Sequence, residues 1–285
     1  MMKFQILGDA ISLLVWPSVV LLPLSLTFGG NRFELIFPRE WYDMEPRTFW
    51  GTDKWPSPLG LTLGISAVIV GQIFMLFYFC VRRTGMLGNI IAIQKEGAPA
   101  YELIEGLFTH LAQPEGFIML GGYLAGTWMF GLMPSTYYSF EGGINWLHVL
   151  MQLLVQDLIQ YLMHMIEHKL DKRLYQKSHK PHHKFTNPRL FDAFNGSVAD
   201  TFLMILVPLF CTARLIKANV WSYMAFGSIY ANWLTLIHAE YAHPWDHMFR
   251  LIGNYFILHN SVCFYAFFTQ VLVQQPIIMF ITKYL

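Results

Sequence analysis

From Leu59 to Val81 the chain carries no charged side chain, and the run stops at Arg82-Arg83. About 20 consecutive apolar residues match the hydrocarbon thickness of a bilayer. Inside a bilayer a chain of this kind must satisfy its own backbone, which it does as a helix. The run is one of several. Comparable stretches cover residues 10–28, roughly 116–133, and 145 to about 168. A further stretch, 199–240, is broken at Arg214, Lys217 and Asn219 and reads as a helical hairpin. The last, 261–282, contains Pro276 and is compatible with spanning, re-entering or lying in the interface. Charged residues make up 13% of the chain, against about 25% in soluble domains, too few to coat a globule of this size. Lys plus Arg number 19 against 18 Asp plus Glu, which leaves no basic surplus for a nucleic-acid partner. The expectation is an all-α integral membrane protein, a multi-span bundle of about four to six membrane helices. No internal repeat divides it, so residues 1–285 are treated as one membrane domain.

Residues 10–28 lack a basic leader beyond Lys3 and a small-residue cleavage site, so they read as a helix rather than a signal peptide. Charge sets the orientation. Lys169, Lys172, Arg173, Lys177, Lys180, Lys184 and Arg189 crowd one segment with a single acid, Asp171, while 134–144 holds Glu141 and no Lys or Arg. The positive-inside rule places 169–189, and Arg82-Arg83 with it, on the cytoplasmic or matrix side. Segment 86–114 is amphipathic and is expected along that interface. Trp41-Tyr42, Trp50, Trp55 and Tyr137-Tyr138 stand at segment ends and read as an aromatic belt. Cys80, Cys211 and Cys263 are far apart in apolar runs, as small buried hydrophobes are. His110 and His148 stand alone and suit local hydrogen bonding.

Nine of the 11 histidines fall between His164 and His259. Asp157, Tyr161, His164 and His168 follow one another at spacings of four, three and four, which lines them up on one helix face. The stripe is about 16 Å long and runs from membrane depth to the cytoplasmic boundary, where ionisable groups mark function. His179-Lys-Pro-His182-His183 follows. Imidazoles so spaced converge readily on a small volume and suit iron, zinc or copper. Each of these histidines taken singly fits a solvated basic face. The two groups together, after a membrane helix with an in-register acid and phenol, point to metal.

These residues, with Leu174-Tyr175 and Asn187-Pro188, resemble the first two histidine boxes of the fatty acid hydroxylase/sterol desaturase superfamily, over roughly residues 145–260. The resemblance implies a helical membrane bundle with a cytoplasmic or matrix-side histidine cap holding two irons. It also implies O2 activation with electrons from a cytochrome b5-type donor, a lipid substrate, and hydroxylation or desaturation of a C–H bond. It implies His164, His168, His179, His182 and His183 as ligands, with His238 as an isolated sixth, and Asp157 and Tyr161 as supporting groups behind them. The endoplasmic reticulum is the implied location, with the mitochondrial inner membrane as the alternative.

The third box departs from the family pattern of HxxHH. Tyr255, Leu258 and His259 stand there, so His259 is the remaining imidazole of that box. His243, His247, Glu240 and Asp246 are candidate substitutes, although Pro244 disfavours a shared helical face for His243 and His247. Counting imidazoles, one iron is well held and a second is under-ligated. The expectation is at most one fully ligated metal and weak or absent oxygenase activity. Two readings therefore stay open: an iron- and O2-dependent lipid oxidoreductase, or a catalytically inactive relative serving as an accessory subunit of a larger membrane complex. Zinc is the alternative ion. A zinc hydrolase is the weakest reading, because no HExxH motif is present.

Overall fold

The computed structural model describes residues 58–86, 103–112, 114–169, 172–180 and 197–236, with isolated positions before residue 39. The described residues are helical, with no strand among them. Helix α1 is Leu59–Arg83, α2 is Leu103–Ala112, and α3 is Met119–Met129, entered through Pro114–Ile118, where the chain kinks at Gly116. Helix α4 is Trp146–Lys169 and α5 is Lys172–Lys177. Helix α6 runs Val198–Leu215 with a π-helical turn at Phe202–Leu206, and α7 is Val220–Leu236. Three of these, Leu59–Arg83, Trp146–Glu167 and Val198–Leu215, are long and apolar enough to cross a membrane. The expected hairpin over 199–240 appears as α6 and α7, turning at 216–219. The apolar runs 10–28 and 261–282 lie outside the described residues.

Helices α1 and α7 pack in parallel: Gly60 meets Val220, Gly64 meets Met224 and Gly71 meets Asn232. The small residues are required for that approach. A Cβ at Gly60 would run into Trp128, and one at Gly71 into the Asn232 amide. Polar groups then bond across the seam, as they do between helices in lipid. The Gln72 amide donates to Asn232 Oδ1 (3.1 Å) and Thr235 Oγ1 (3.1 Å).

Helix α4 carries a ladder of three glutamines, one per turn, toward the bundle interior. Gln152 donates to Tyr137 Oη (2.9 Å), Gln156 accepts from Thr212 Oγ1 (3.0 Å), and Gln160 donates to Tyr230 Oη (2.6 Å). Gln160 also donates to the Met204 carbonyl at 2.8 Å. That carbonyl is the one a residue at 208 would bond in a regular helix, and Pro208 has no N–H to give. The glutamine thus repairs a backbone defect in the neighbouring helix.

The opposite end of the bundle is closed by the 130–145 connection. Helix α3 ends in a Schellman turn, with Leu132 N–H on Thr127 O (2.9 Å), Gly131 N–H on Trp128 O (3.2 Å), and Gly131 at φ 64°. Tyr137 and Tyr138 are both 0% exposed. Their hydroxyls donate to Ile216 O (2.7 Å) and Trp128 O (2.8 Å). Burial pushes the Tyr138 phenol up to about 12 and the Tyr137 phenol higher still, so both remain donors. This corrects the expectation of an interfacial belt at these two positions: they are core anchors. Cys80 is likewise exposed on the outer surface rather than buried, and Cys211 is half-buried. On α2, Ile104, Phe108 and Leu111 form one exposed apolar stripe, the pattern of a helix lying in an interface.

Candidate metal centre

The centre lies where α1 and α4 end and α6 begins, the end marked by Arg82 and Arg83. His179 sits in the turn that closes α5: its own N–H and that of Lys180 both turn back to the Tyr175 carbonyl, at 3.2 and 2.8 Å. Ser197 caps α6 by accepting from Asp200 N–H at 3.1 Å, the common role of serine at a helix start. The same hydroxyl donates to the Ser178 carbonyl at 2.6 Å. One side chain therefore fastens the turn carrying His179 to the helix start carrying Asp200. As a result, His179 Nδ1 lies 2.7 Å from Asp200 Oδ1.

Glu167, from the last turn of α4, completes the group, with Oε2 3.6 Å from the same Nδ1. One ligand atom from each of Glu167, His179 and Asp200 falls within 4.8 Å of the others. His164, one turn earlier on α4, sets its ring edge-to-face against His179 with centroids 4.5 Å apart. Asp200 is placed favourably, in the first turn of α6, where the helix dipole stabilises negative charge. Glu167 is not. It lies at the negative end of α4, is 0% exposed, and has the Ser178 hydroxyl as its hydrogen-bonding neighbour.

Charge counting decides what such a site suits. Two acids beside one imidazole, all three buried, are costly to ionise together without a further counter-charge. Burying an unpaired charge is costly, and a coordinated cation removes the cost. Imidazole with carboxylate is a donor set for iron or zinc. Histidine ligands commonly give their other ring nitrogen to a carboxylate that fixes tautomer and orientation. The 2.7 Å contact assigns that part to Asp200, acting on Nδ1, with Nε2 as the ring atom that would face a metal.

Of the residues expected from sequence, the structure brings His164 and His179 together. His168 is on the next turn of α4 after His164. Asp157 is buried and Tyr161 half-buried on the same helix, and Asp157 sits about 15 Å before Glu167 along the axis. His182, His183, His238 and His259 lie outside the described residues, as do Tyr255, Leu258 and the substitutes Glu240, His243, Asp246 and His247. Glu167 and Asp200 were not expected from sequence. A signal for each was present: Glu167 stands inside His164-Met-Ile-Glu-His168, and Asp200 follows Ser197 at capping distance.

The role of Asp200 predicts a graded response. Asp200→Ala is expected to weaken iron binding about 10–100-fold, the usual effect of losing a carboxylate behind a histidine ligand. Asp200→Asn keeps an oxygen acceptor for the Nδ1 proton and should recover most of that loss. Iron titration followed by absorbance checks it, and wild-type affinity in the alanine variant would refute the assignment.

Known proteins resemble the chain over this region. The fatty acid hydroxylase family model matches residues 149–273, a span that includes most of α4, His179 and Asp200. The chain is 53% identical over 244 residues to the alternative squalene epoxidase of Phaeodactylum tricornutum (strain CCAP 1055/1), covering 84% of this chain and 69% of that protein. No solved structure matches the chain. With an all-helical membrane architecture, a matching family model and a relative this similar along most of its length, the chain belongs to the fatty acid hydroxylase family, a family of lipid oxidoreductases.

Proposed function

We propose that the chain is an iron- and O2-dependent membrane oxygenase that epoxidises an alkene of a hydrocarbon lipid of the squalene class. The observation that carries this reading is the buried Glu167 carboxylate beside His179, Asp200 and His164. The name of the similar epoxidase supports the substrate class and the reaction.

Glu167 changes the donor count. Imidazoles alone number seven: His164, His168, His179, His182, His183, His238 and His259. With Glu167 there are eight protein donors, four for each of two irons. The loss of imidazoles at Tyr255 and Leu258 is then offset by a carboxylate from the first box. Bound iron would supply O2 activation. The protein residues hold and shield it: Asp200 orients His179, Ser197 holds both, and the apolar helices keep water from the reacting alkene. In the overall reaction one oxygen atom of O2 enters the alkene. The other leaves as water, taking two electrons and two protons from an external carrier of the cytochrome b5 type. The basic segment Lys169–Arg189 is the face on which an acidic carrier would dock, at the endoplasmic reticulum membrane.

The test is turnover in lipid nanodiscs with squalene, a reductase system and isotopically labelled O2. The expected product is squalene epoxide carrying one labelled oxygen. Absence of both product and O2 uptake by iron-loaded protein would reject the reading in favour of an accessory subunit.

A further inference from the structure

A cavity of about 150 Å³ lies between α1, α3, α6 and α7, at membrane depth. No charged residue contributes to its wall, and almost all of its surface is carbon. The Thr127 and Tyr230 hydroxyls that reach it are already engaged, Thr127 Oγ1 donating to Tyr123 O at 2.7 Å and Tyr230 Oη accepting from Gln160 at 2.6 Å. Gln160 stands one helical turn, about 6 Å, before His164. The cavity therefore ends against a polar partition whose other side leads along α4 to the candidate centre. Dry apolar cavities of this size hold hydrocarbon, about six carbons' worth in the measured case.

Two glycines in the wall are not explained by helix packing. A Cβ on Gly121 of α3 or Gly227 of α7 would meet nothing within 4 Å among the described residues, unlike Gly60 and Gly71. A glycine inside a helix costs about 1 kcal/mol relative to alanine, so each weakens its helix without serving a close contact inside the chain. What each provides is space in the cavity.

We infer that this cavity receives one apolar segment of a hydrocarbon substrate that has no polar headgroup, and that Gly121 and Gly227 set the width of chain it admits. The inference rests on the lipid-oxygenase reading and adds the site and the residues that select the substrate. It commits to a hydrocarbon end because the described wall has no charged group for a carboxylate and almost all of its surface is carbon.

The experiment is equilibrium binding of tritiated squalene to the detergent-solubilised, iron-loaded protein under argon. Gly121→Leu and Gly227→Leu are each expected to weaken binding at least tenfold while iron content stays at the wild-type level. Gly121→Ala and Gly227→Ala, which fill the space only in part, give smaller losses of the same sign and keep the test valid should a leucine variant fail to fold. Unlabelled squalene should displace the probe, and palmitate and cholesterol should not. Unchanged squalene binding across the folded variants would overturn the proposal, as would displacement by palmitate or cholesterol as effective as by squalene. Because no turnover is measured, glycine-dependent binding in a protein that makes no epoxide would sink the functional reading and leave this one standing.

Discussion

His179→Ala is expected to strip iron from the protein, abolish turnover and lower stability together. The imidazole stands 2.7 Å from Asp200 and 3.6 Å from Glu167, and it is the group through which the two acids are joined. Removing one partner of a buried ionic cluster costs about 3–5 kcal/mol, because the remaining charges stay buried without compensation. The variant should therefore melt well below the wild type in detergent and bind no iron at concentrations that saturate the parent. A His179→Ala protein with wild-type melting temperature and activity would mean that the cluster is neither structural nor metal-binding.

Glu167→Gln should have effects of opposite sign on stability and function. The substitution keeps shape and removes one of two acids buried side by side at the centre. If the carboxylate is there for a metal, the metal-free variant becomes more stable than the metal-free wild type, because two neighbouring buried acids no longer oppose each other. At the same time iron binding and epoxidation fall to background. A merely structural glutamate would give destabilisation with activity lost in proportion. Thermal melts of chelator-treated proteins, set beside turnover of the iron-loaded forms, separate the two outcomes.

The bundle was legible in the sequence because its driving signal is local. Leu59–Val81 has to be helical in a bilayer whatever its neighbours do, and α1 appears over Leu59–Arg83. The break at Arg214, Lys217 and Asn219 marked the turn between α6 and α7. Features that depend on contacts between helices were not legible. The ladder Gln152, Gln156 and Gln160 is uncharged and looks like ordinary polar filler until Tyr137, Thr212 and Tyr230 are placed opposite it. Tyr137-Tyr138 at the end of an apolar run looks the same on paper whether it faces lipid headgroups or the core, and here it faces the core.

The centre shows the same division. The helical spacing of His164 and His168 and the proximity of His179 to His164 were readable from sequence, since both depend on short chain distances. Glu167 was hidden by its setting: between two histidines it reads as a spacer, yet its position three residues after His164 puts both on one helix face. Asp200 was hidden because its approach to His179 depends on Ser197, which bonds forward to its own helix and back to the Ser178 carbonyl. Counting imidazoles alone made the third box appear decisive. In the proposed reading the buried Glu167 adds one donor to that count.

The central claim is that Glu167 joins the histidines in holding two irons. Its most direct test is the iron content of the purified wild-type protein, expressed with excess iron and measured by mass spectrometry alongside Glu167→Gln. About two irons per chain are expected in the wild type and at most one in the variant. One iron or none in a folded wild-type protein, or two retained in Glu167→Gln, would contradict it.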